Sequence, residues 1–124
     1  MNSLQAFQAL GNKNSAFEGL ETFPLDRIVQ HVSMESDEVT AVCPVTGQPD
    51  QYTVTIDYVP NEKGIESKSL KLYFQQFRSE GIFCEQFAAR ILKDVLSAAQ
   101  PKSIEVTVCQ KSRGGVTITA KARI

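Results

Sequence analysis

Gln51-Tyr52-Thr53-Val54-Thr55-Ile56-Asp57-Tyr58 gives the clearest structural signal in the sequence, because polar and apolar side chains alternate along its whole length. Successive side chains of a β-strand point to opposite faces of the sheet, so this alternation predicts a strand with one buried face. The apolar positions carry β-branched or aromatic residues, which are the types that strands favour. Pro60, Asn61 and Gly64 follow and end the strand.

Further alternating segments lie on both sides of this strand. Upstream, residues 28–34 and 39–43 predict two shorter strands that are joined by a hairpin turn at Glu35-Ser36-Asp37. Downstream, residues 104–109 and 116–123 alternate around Arg113-Gly114-Gly115. These two segments predict a terminal hairpin.

Between the two groups of strands, the apolar residues change to helical spacing. Leu70, Phe74 and Phe77 predict a first helix. A second helix is predicted from a longer stripe with steps of one, three and four residues, formed by Phe83, Phe87, Ala88, Ile91, Leu92, Val95 and Leu96. This helix should end before Pro101, and Ser79 is a candidate for its N-cap.

The order of elements is therefore two or three strands, two helices and two strands. This grouping predicts an α+β domain in which an antiparallel sheet carries both helices on one face. The edges and the uncovered face of such a sheet favour assembly with other subunits. Residues 1–24 lack regular patterning and are predicted to form an N-terminal arm, with one domain over residues 25–124.

The composition bears on several classes of protein. A net charge of −1 gives no general attraction to nucleic acid or to a membrane surface. No apolar run approaches the ~20 residues of a membrane span. The three cysteines are widely spaced and do not suggest a disulfide framework, so a reducing, cytoplasmic environment is expected. Neither metal-ligand spacing nor a GxGxxG or P-loop fingerprint is present, and we expect no metal.

Cys43-Pro44-Val45-Thr46-Gly47-Gln48-Pro49-Asp50 is the first segment whose side chains could take part in catalysis. Two prolines and a glycine can give this loop a defined shape, with a thiol at one end and a carboxyl group at the other. A nucleophile and a proton-transferring group are the minimum parts for covalent catalysis. Cysteine is also among the most buried residue types, so Cys43 could be structural. The Pro-Gly-Pro-Asp context favours the catalytic interpretation.

Glu66-Ser67-Lys68-Ser69-Leu70-Lys71-Leu72-Tyr73 is the second such stretch. It places Lys68 and Lys71 at the start of the first helix, where free backbone N–H groups suit an anionic or phosphorylated ligand. An ordinary solvated helix face, capped by Glu66 or the serines, is the alternative. Arg113-Gly114-Gly115 could likewise bring an arginine and bare backbone to a phosphate, or could be a simple turn.

Glu85 lies beside Cys84 in the first turn of the second predicted helix. A carboxylate at this position is favoured by the helix dipole, which requires no further function. It could also be an anchor that accepts paired hydrogen bonds from a heterocycle. The spacing does not separate these two interpretations.

The two long motifs, in this order, closely resemble the QueF family of NADPH-dependent nitrile reductases. These enzymes act on 7-cyano-7-deazaguanine in the pathway to queuosine, a modified tRNA base. The resemblance runs from about Leu25 to the C-terminus, and it includes Phe77-Arg78, Cys84-Glu85 and Arg113-Gly114-Gly115. It implies the tunnelling fold (T-fold), in which a ββααββ unit pairs edge to edge into an oligomeric barrel. The short branch that this length matches typically forms a decamer of two pentamers, with sites between subunits.

The resemblance also implies roles for individual residues. Cys43 would attack the nitrile carbon and form a covalent thioimide, and Asp50 would protonate the nitrogen. NADPH would deliver hydride twice, giving 7-aminomethyl-7-deazaguanine, and Glu85 would accept hydrogen bonds from the base. The other implied roles are substrate binding by Glu66, Ser67 and Cys84, and cofactor binding by Lys68, Lys71, Arg113 and Gly114.

The chain departs from the family pattern at Cys84, where many members have a histidine associated with substrate positioning and proton transfer. Proton transfer would then fall on Asp50 or on water. Cys84 could also form a reversible disulfide with Cys43, while Phe87 replaces the cysteine that pairs with the nucleophile in some relatives.

Two other functions remain open at this point. A related transferase uses the same thioimide but adds ammonia or an amine, and a non-catalytic protein of this fold would bind purine- or pterin-like ligands. The lysine-rich motif favours the reductase over the transferase, and the presence of both Cys43 and Asp50 disfavours the simple binder.

Overall fold

The alternating segment at residues 51–58 lies within a central strand of an antiparallel sheet. The computed structural model describes residue 17 and residues 19–124. In chain order, the described strands and helices are β1 (Thr22–Pro24), β2 (Val32–Val42), β3 (Pro49–Val59), β4 (Lys63–Ile65), α1 (Ser67–Gln75), a 3-10 turn (Gln76–Ser79), α2 (Cys84–Ala99), β5 (Ser103–Arg113) and β6 (Val116–Arg123). The large sheet has the order β2-β3-β5-β6, with antiparallel neighbours throughout. The predicted α+β class, antiparallel sheet and two helices are confirmed.

Both helices pack on the face of the sheet that the alternation marked as apolar. Tyr52, Val54, Ile56 and Tyr58 of β3 are all buried. The buried stripe of α2 covers them and the matching residues of β5, and consists of Phe87, Ala88, Ile91, Leu92 and Val95. Strand and helix periodicities thus bring two apolar surfaces together, and burial of these surfaces is the main stabilising contribution. Among the described residues, neither helix is long and apolar enough to cross a membrane.

The predicted hairpin turn at Glu35-Ser36-Asp37 is wrong. β2 runs without interruption from Val32 to Val42, and its register with β3 shifts between Ser36 and Val39. The triplet contains no glycine or proline, so nothing in it forces the chain to reverse, and β3 offers a partner along its whole length. The polar triplet therefore produces a bulge in one long strand, and the main elements have the order ββααββ.

Two further boundaries differ from the prediction. The first long strand begins at Val32 and not near Ile28, because Asp26 forms a turn in which its carboxylate accepts from the Ile28 N–H at 2.9 Å. Ser79 does not cap α2. It ends the 3-10 turn, and Phe83 occupies the N-cap position of α2 without a side-chain hydrogen bond.

A small second sheet joins the predicted arm to the domain. β1 pairs with β4, with Phe23 opposite Gly64. A Cβ atom on Gly64 would lie 2.8 Å from the Phe23 ring, so glycine is needed for this close approach. The remainder of the predicted arm lies largely outside the described residues.

Gln100 ends α2 in a left-handed conformation that normally favours glycine. Its φ is +50°, its N–H donates to the Leu96 carbonyl at 3.0 Å, and Pro101 follows. We expect Gln100→Gly to raise the free energy of unfolding by about 0.5–1 kcal/mol, because it relieves the steric cost of a side chain at this φ. Urea unfolding measures the change. Gln100→Ala keeps the steric cost and should give no gain, and a less stable Gln100→Gly protein would contradict the explanation.

Candidate active site

The loop between β2 and β3 carries the two residues that the sequence singled out. Ala41 pairs with Asp50 across the strands, so Cys43 and Asp50 lie at the two ends of one tight connection. The Cys43 N–H donates to the Gln48 carbonyl at 2.8 Å, and the Gly47 N–H donates to the Cys43 carbonyl at 2.9 Å. Gly47 has a φ of +70°, which allows the chain to turn there. The loop is thus closed by its own backbone hydrogen bonds.

The segment that precedes α2 supports this loop from the other side. The Val42 N–H donates to the Glu80 carbonyl at 3.0 Å, and the Ile82 N–H donates to the Val42 carbonyl at 3.1 Å. Between them, Gly81 passes so close to Pro44 that an added Cβ would lie 3.3 Å from the Pro44 Cα. The residue next to the thiol is therefore fixed by two separate parts of the backbone.

The surroundings of Cys43 favour its ionised form. Hydrogen bonds from the Thr46 hydroxyl, then from the backbone N–H groups of Thr46 and Val45, lower the pKa of the Cys43 thiol to about 7, and Arg113 contributes in the same direction. Burial acts in the opposite direction, but it is outweighed. A thiol with this pKa is roughly half ionised at neutral pH, and the thiolate is the nucleophilic form.

Thr46→Val tests the largest of these contributions. Loss of the hydroxyl should raise the pKa of Cys43 from about 7 toward the ordinary value of 9.0, so thiolate formation should require a higher pH. The pH dependence of Cys43 alkylation by iodoacetamide, followed by peptide mapping, measures this midpoint. Thr46→Ser keeps the hydroxyl and should retain the low midpoint. An unchanged midpoint in Thr46→Val would contradict this account of the thiol.

Asp50, near the start of β3, forms an ion pair with Arg113, at the end of β5. The Arg113 Nε lies 2.7 Å from Asp50 Oδ1, and the Asp50 side chain is only 4% exposed. Arg113 is the last residue of β5, and Gly114 and Gly115 follow with positive φ values in the predicted turn to β6. Its guanidinium also lowers the pKa of the Cys43 thiol. One cation therefore stabilises the charged forms of both candidate catalytic groups.

Two buried polar residues without a predicted role lie next to this cluster. The Tyr52 hydroxyl donates to Gln110 Oε1 at 3.3 Å. Burial, with Asp50 as the next cause, raises the pKa of Tyr52, so its phenol stays protonated. The strand periodicity of the sequence places both side chains on the buried face of the sheet. Tyr52 follows Asp50 by two residues on the same face of β3, and Gln110 occupies the next inward position after Val108 in β5.

The start of α1 shows the capping role that the sequence left open for Glu66. The side chain of Glu66 is buried, and its two oxygens accept from the N–H groups of Lys68 and Ser69 at 2.8 and 2.7 Å. Ser67 and Lys71 are exposed. Both contribute to a groove of about 480 Å³ between β2 and α1.

This groove does not include the thiol site of the same chain. Arg78, Gln75 and Phe74 also line it from the helical side, and Met34 lines it from β2. Cys43, Asp50 and Arg113 are not among its lining residues. The structure thus brings Cys43, Asp50 and Arg113 together, while Ser67 and Lys71 lie at a second surface.

Cys84 and Glu85 are neighbours in sequence, but their side chains have different environments. The Cys84 thiol is buried and donates to the Val108 carbonyl at 3.5 Å, whereas Glu85 is exposed. Burial raises the pKa of Cys84, in contrast to that of Cys43. The helical step from Cys84 to Phe87 and Ala88 could have predicted that this thiol faces the core. Cys43 and Cys84 are both free thiols in the structure.

His31 lies apart from the cluster, at the surface. Its Nε2 is 3.5 Å from the Asp57 carboxylate, on the strand face that carries the polar residues of β3. This surface position leaves His31 outside the candidate site.

A low-pKa thiol held beside a buried carboxylate–arginine pair is a candidate site for thiol chemistry on an α+β fold. The family model described as QueF-like protein matches residues 49–124. The chain belongs to this family.

Several relatives cover most of the chain. A protein of Frankia casuarinae is 45% identical over 94% of this chain and 94% of its own length. A protein of Syntrophus aciditrophicus is 44% identical over 96% of this chain and 86% of its own length. A protein of Chlorobium phaeovibrioides is 50% identical over 73% of this chain and 78% of its own length. All three are named NADPH-dependent 7-cyano-7-deazaguanine reductase.

The fold also matches a solved structure, the apo form of the archaeosine synthase QueF-Like. The TM-score is 0.72, and the match covers 76% of this chain and 92% of the other. At 24% sequence identity, this match shows a shared fold.

Proposed function

We propose that the protein is an NADPH-dependent 7-cyano-7-deazaguanine reductase that produces 7-aminomethyl-7-deazaguanine for queuosine biosynthesis. Relatives with this name cover 94% and 96% of the chain, so the proposal concerns the whole domain. The observation that carries it is the Cys43 thiol, whose pKa is lowered to about 7 and which shares Arg113 with the buried Asp50 carboxylate.

The first chemical step is addition of Cys43 to the nitrile. The sulfur forms a bond to the nitrile carbon as one π bond of the triple bond breaks, and the nitrogen takes up a proton, which gives a thioimide. Asp50 transfers that proton, because it is the buried carboxylate that shares Arg113 with the thiol. A nitrile carbon is a weak electrophile, so thiolate attack and protonation of the nitrogen support each other.

NADPH supplies the two hydrides that convert the nitrile carbon to the amine level. The residues present suit its phosphates. Lys71 is exposed beside Ser67 in the groove at the start of α1, and Lys68 precedes it by three residues. Arg113 and Gly114 would offer a cation and a backbone N–H at the β5–β6 turn. We propose that these residues hold the cofactor.

The base would be bound by Glu85, with help from Ser67, Glu66 and the Cys84 segment. Glu85 is exposed at the start of α2, so it would enclose a ligand only where a neighbouring subunit covers it. The separation of the groove from Cys43 in one chain supports the same conclusion. We therefore place the complete site between subunits.

Assembly would use the edges of the large sheet. β2 and β6 each pair with a single strand among the described residues, which leaves backbone groups available for another copy. We propose a T-fold barrel formed edge to edge, and a decamer of two pentamers. Cys43 must remain a free thiol, which suits the reducing cytoplasm.

The test mixes the protein with 7-cyano-7-deazaguanine and NADPH and follows the absorbance of NADPH and the intact mass of the protein. Two NADPH consumed per nitrile reduced would support the reductase. A covalent adduct without NADPH oxidation would overturn it in favour of a transferase that adds ammonia or an amine to the thioimide. Ligand binding without any adduct would identify a non-catalytic binder.

A further inference from the structure

Arg113 holds a position that cofactor binding alone does not explain. Its Nε is 2.7 Å from Asp50 Oδ1, and the same guanidinium lowers the pKa of the Cys43 thiol. Asp50 is 4% exposed, whereas the Arg113 side chain is 38% exposed. The arginine therefore reaches from the surface to a buried carboxylate and to the thiol beside it.

We propose that Arg113 is a positioning residue for covalent attack, which holds Asp50 and Cys43 in their reactive arrangement before any cofactor takes part. This inference rests on the proposed function, in which Cys43 adds to a nitrile. It assigns Arg113 to the first chemical step, in addition to the phosphate contact that the resemblance implies.

The backbone at Arg113 is suited to this task. Arg113 pairs with Val116 across the hairpin, and the register of β5 and β6 shifts between Gln110 and Arg113. Gly114 and Gly115 adopt positive φ values of 63° and 81° and close the turn directly after it. The arginine thus projects from the last residue of a paired strand, while only its side chain crosses to β3.

The proton balance explains why this position matters. In the ion pair, Asp50 is a carboxylate, which can accept a proton and has none to give. It can take the proton of the Cys43 thiol as the sulfur attacks, and then pass the same proton to the nitrile nitrogen. The S–H bond breaks, the S–C and N–H bonds form, and no external acid is consumed. Arg113 holds the acceptor in place and stabilises the negative charge that is shared by sulfur and carboxylate.

The test measures adduct formation in the absence of NADPH, so that cofactor binding cannot contribute. Wild type, Arg113→Ala and Arg113→Lys are mixed with 7-cyano-7-deazaguanine across a range of pH, and the adduct is followed by intact mass. We expect Arg113→Ala to form the adduct about tenfold more slowly at neutral pH, with its pH midpoint moved upward. Arg113→Lys keeps a positive charge and should fall between the two. If Arg113→Ala fails to fold, the rate and midpoint of Arg113→Lys decide the question.

Arg123→Ala is the matched control, because Arg123 lies in β6 beside Glu105 and outside the cluster. It should behave as wild type does. Rates and pH midpoints that are unchanged in both Arg113 variants, with only the KM for NADPH increased, would overturn the inference and leave Arg113 as a cofactor ligand. If wild type itself forms no adduct, the proposed function fails, and this inference fails with it.

Discussion

Cys43→Ala should abolish the covalent adduct with 7-cyano-7-deazaguanine and lower NADPH oxidation by about a thousandfold or more, as removal of a covalent nucleophile does in other enzymes. Alanine leaves the base-binding surface intact but offers no atom that can bond to the nitrile carbon. The backbone hydrogen bonds from Cys43 to Gln48 and Gly47 do not involve the sulfur. The loop should therefore keep its shape, and the loss should be chemical.

Two measurements separate this result from unfolding. Intact mass shows whether the adduct forms, and thermal unfolding shows whether the variant is folded. Cys109→Ala is the matched control, because the Cys109 sulfur accepts a hydrogen bond from Thr119 on the β5–β6 pair and has no part in the proposed reaction. A folded Cys43→Ala protein that oxidises NADPH at the wild-type rate would exclude the thioimide mechanism.

Asp50→Asn should lower the rate of adduct formation by about a hundredfold, within the range that positioned acid–base groups contribute. Asparagine has nearly the same shape, but its amide cannot take the thiol proton or return it to the nitrogen. Arg113 would lose its ionic partner, yet its side chain is 38% exposed, so water can solvate the charge. The effect on folding should therefore be small compared with the effect on rate.

Rapid mixing with the nitrile, without NADPH, measures the rate of this step. Asp57→Asn is a suitable control on the same strand, because Asp57 pairs with His31 at the surface, away from the thiol. Equal rates of adduct formation in wild type and Asp50→Asn would show that another group, such as water, carries the proton.

The main elements could be predicted because each depends on local spacing. Period two in β3 and β5, and helical spacing in α2, require no knowledge of the rest of the chain. The pairing of β1 with β4 could not be predicted, because it depends on the close contact between Phe23 and Gly64, which lie far apart in sequence. The bulge in β2 depends on the partner strand β3, so the polar triplet on its own predicts a turn.

In the candidate site too, features that are local in sequence could be predicted, and contacts between distant residues could not. The loop from Cys43 to Asp50 is continuous in sequence, so a motif was sufficient to identify it. The ion pair between Asp50 and Arg113 joins the start of β3 to the end of β5. Only the pairing of these two strands in the sheet brings the residues together. Thr46 was part of the quoted motif, but its effect on the thiol depends on how the loop folds.

The closed loop around Cys43 affects how much of a small ligand's binding free energy must go into ordering the protein. Fixing one residue's backbone costs on the order of 1–2 kcal/mol in conformational entropy. Here the hydrogen bonds to Gln48, Glu80 and Val42 meet that cost when the chain folds. Under the proposed mechanism, an incoming nitrile would find the Cys43 sulfur already in place, and the free energy of its association would remain available to align the carbon with the sulfur.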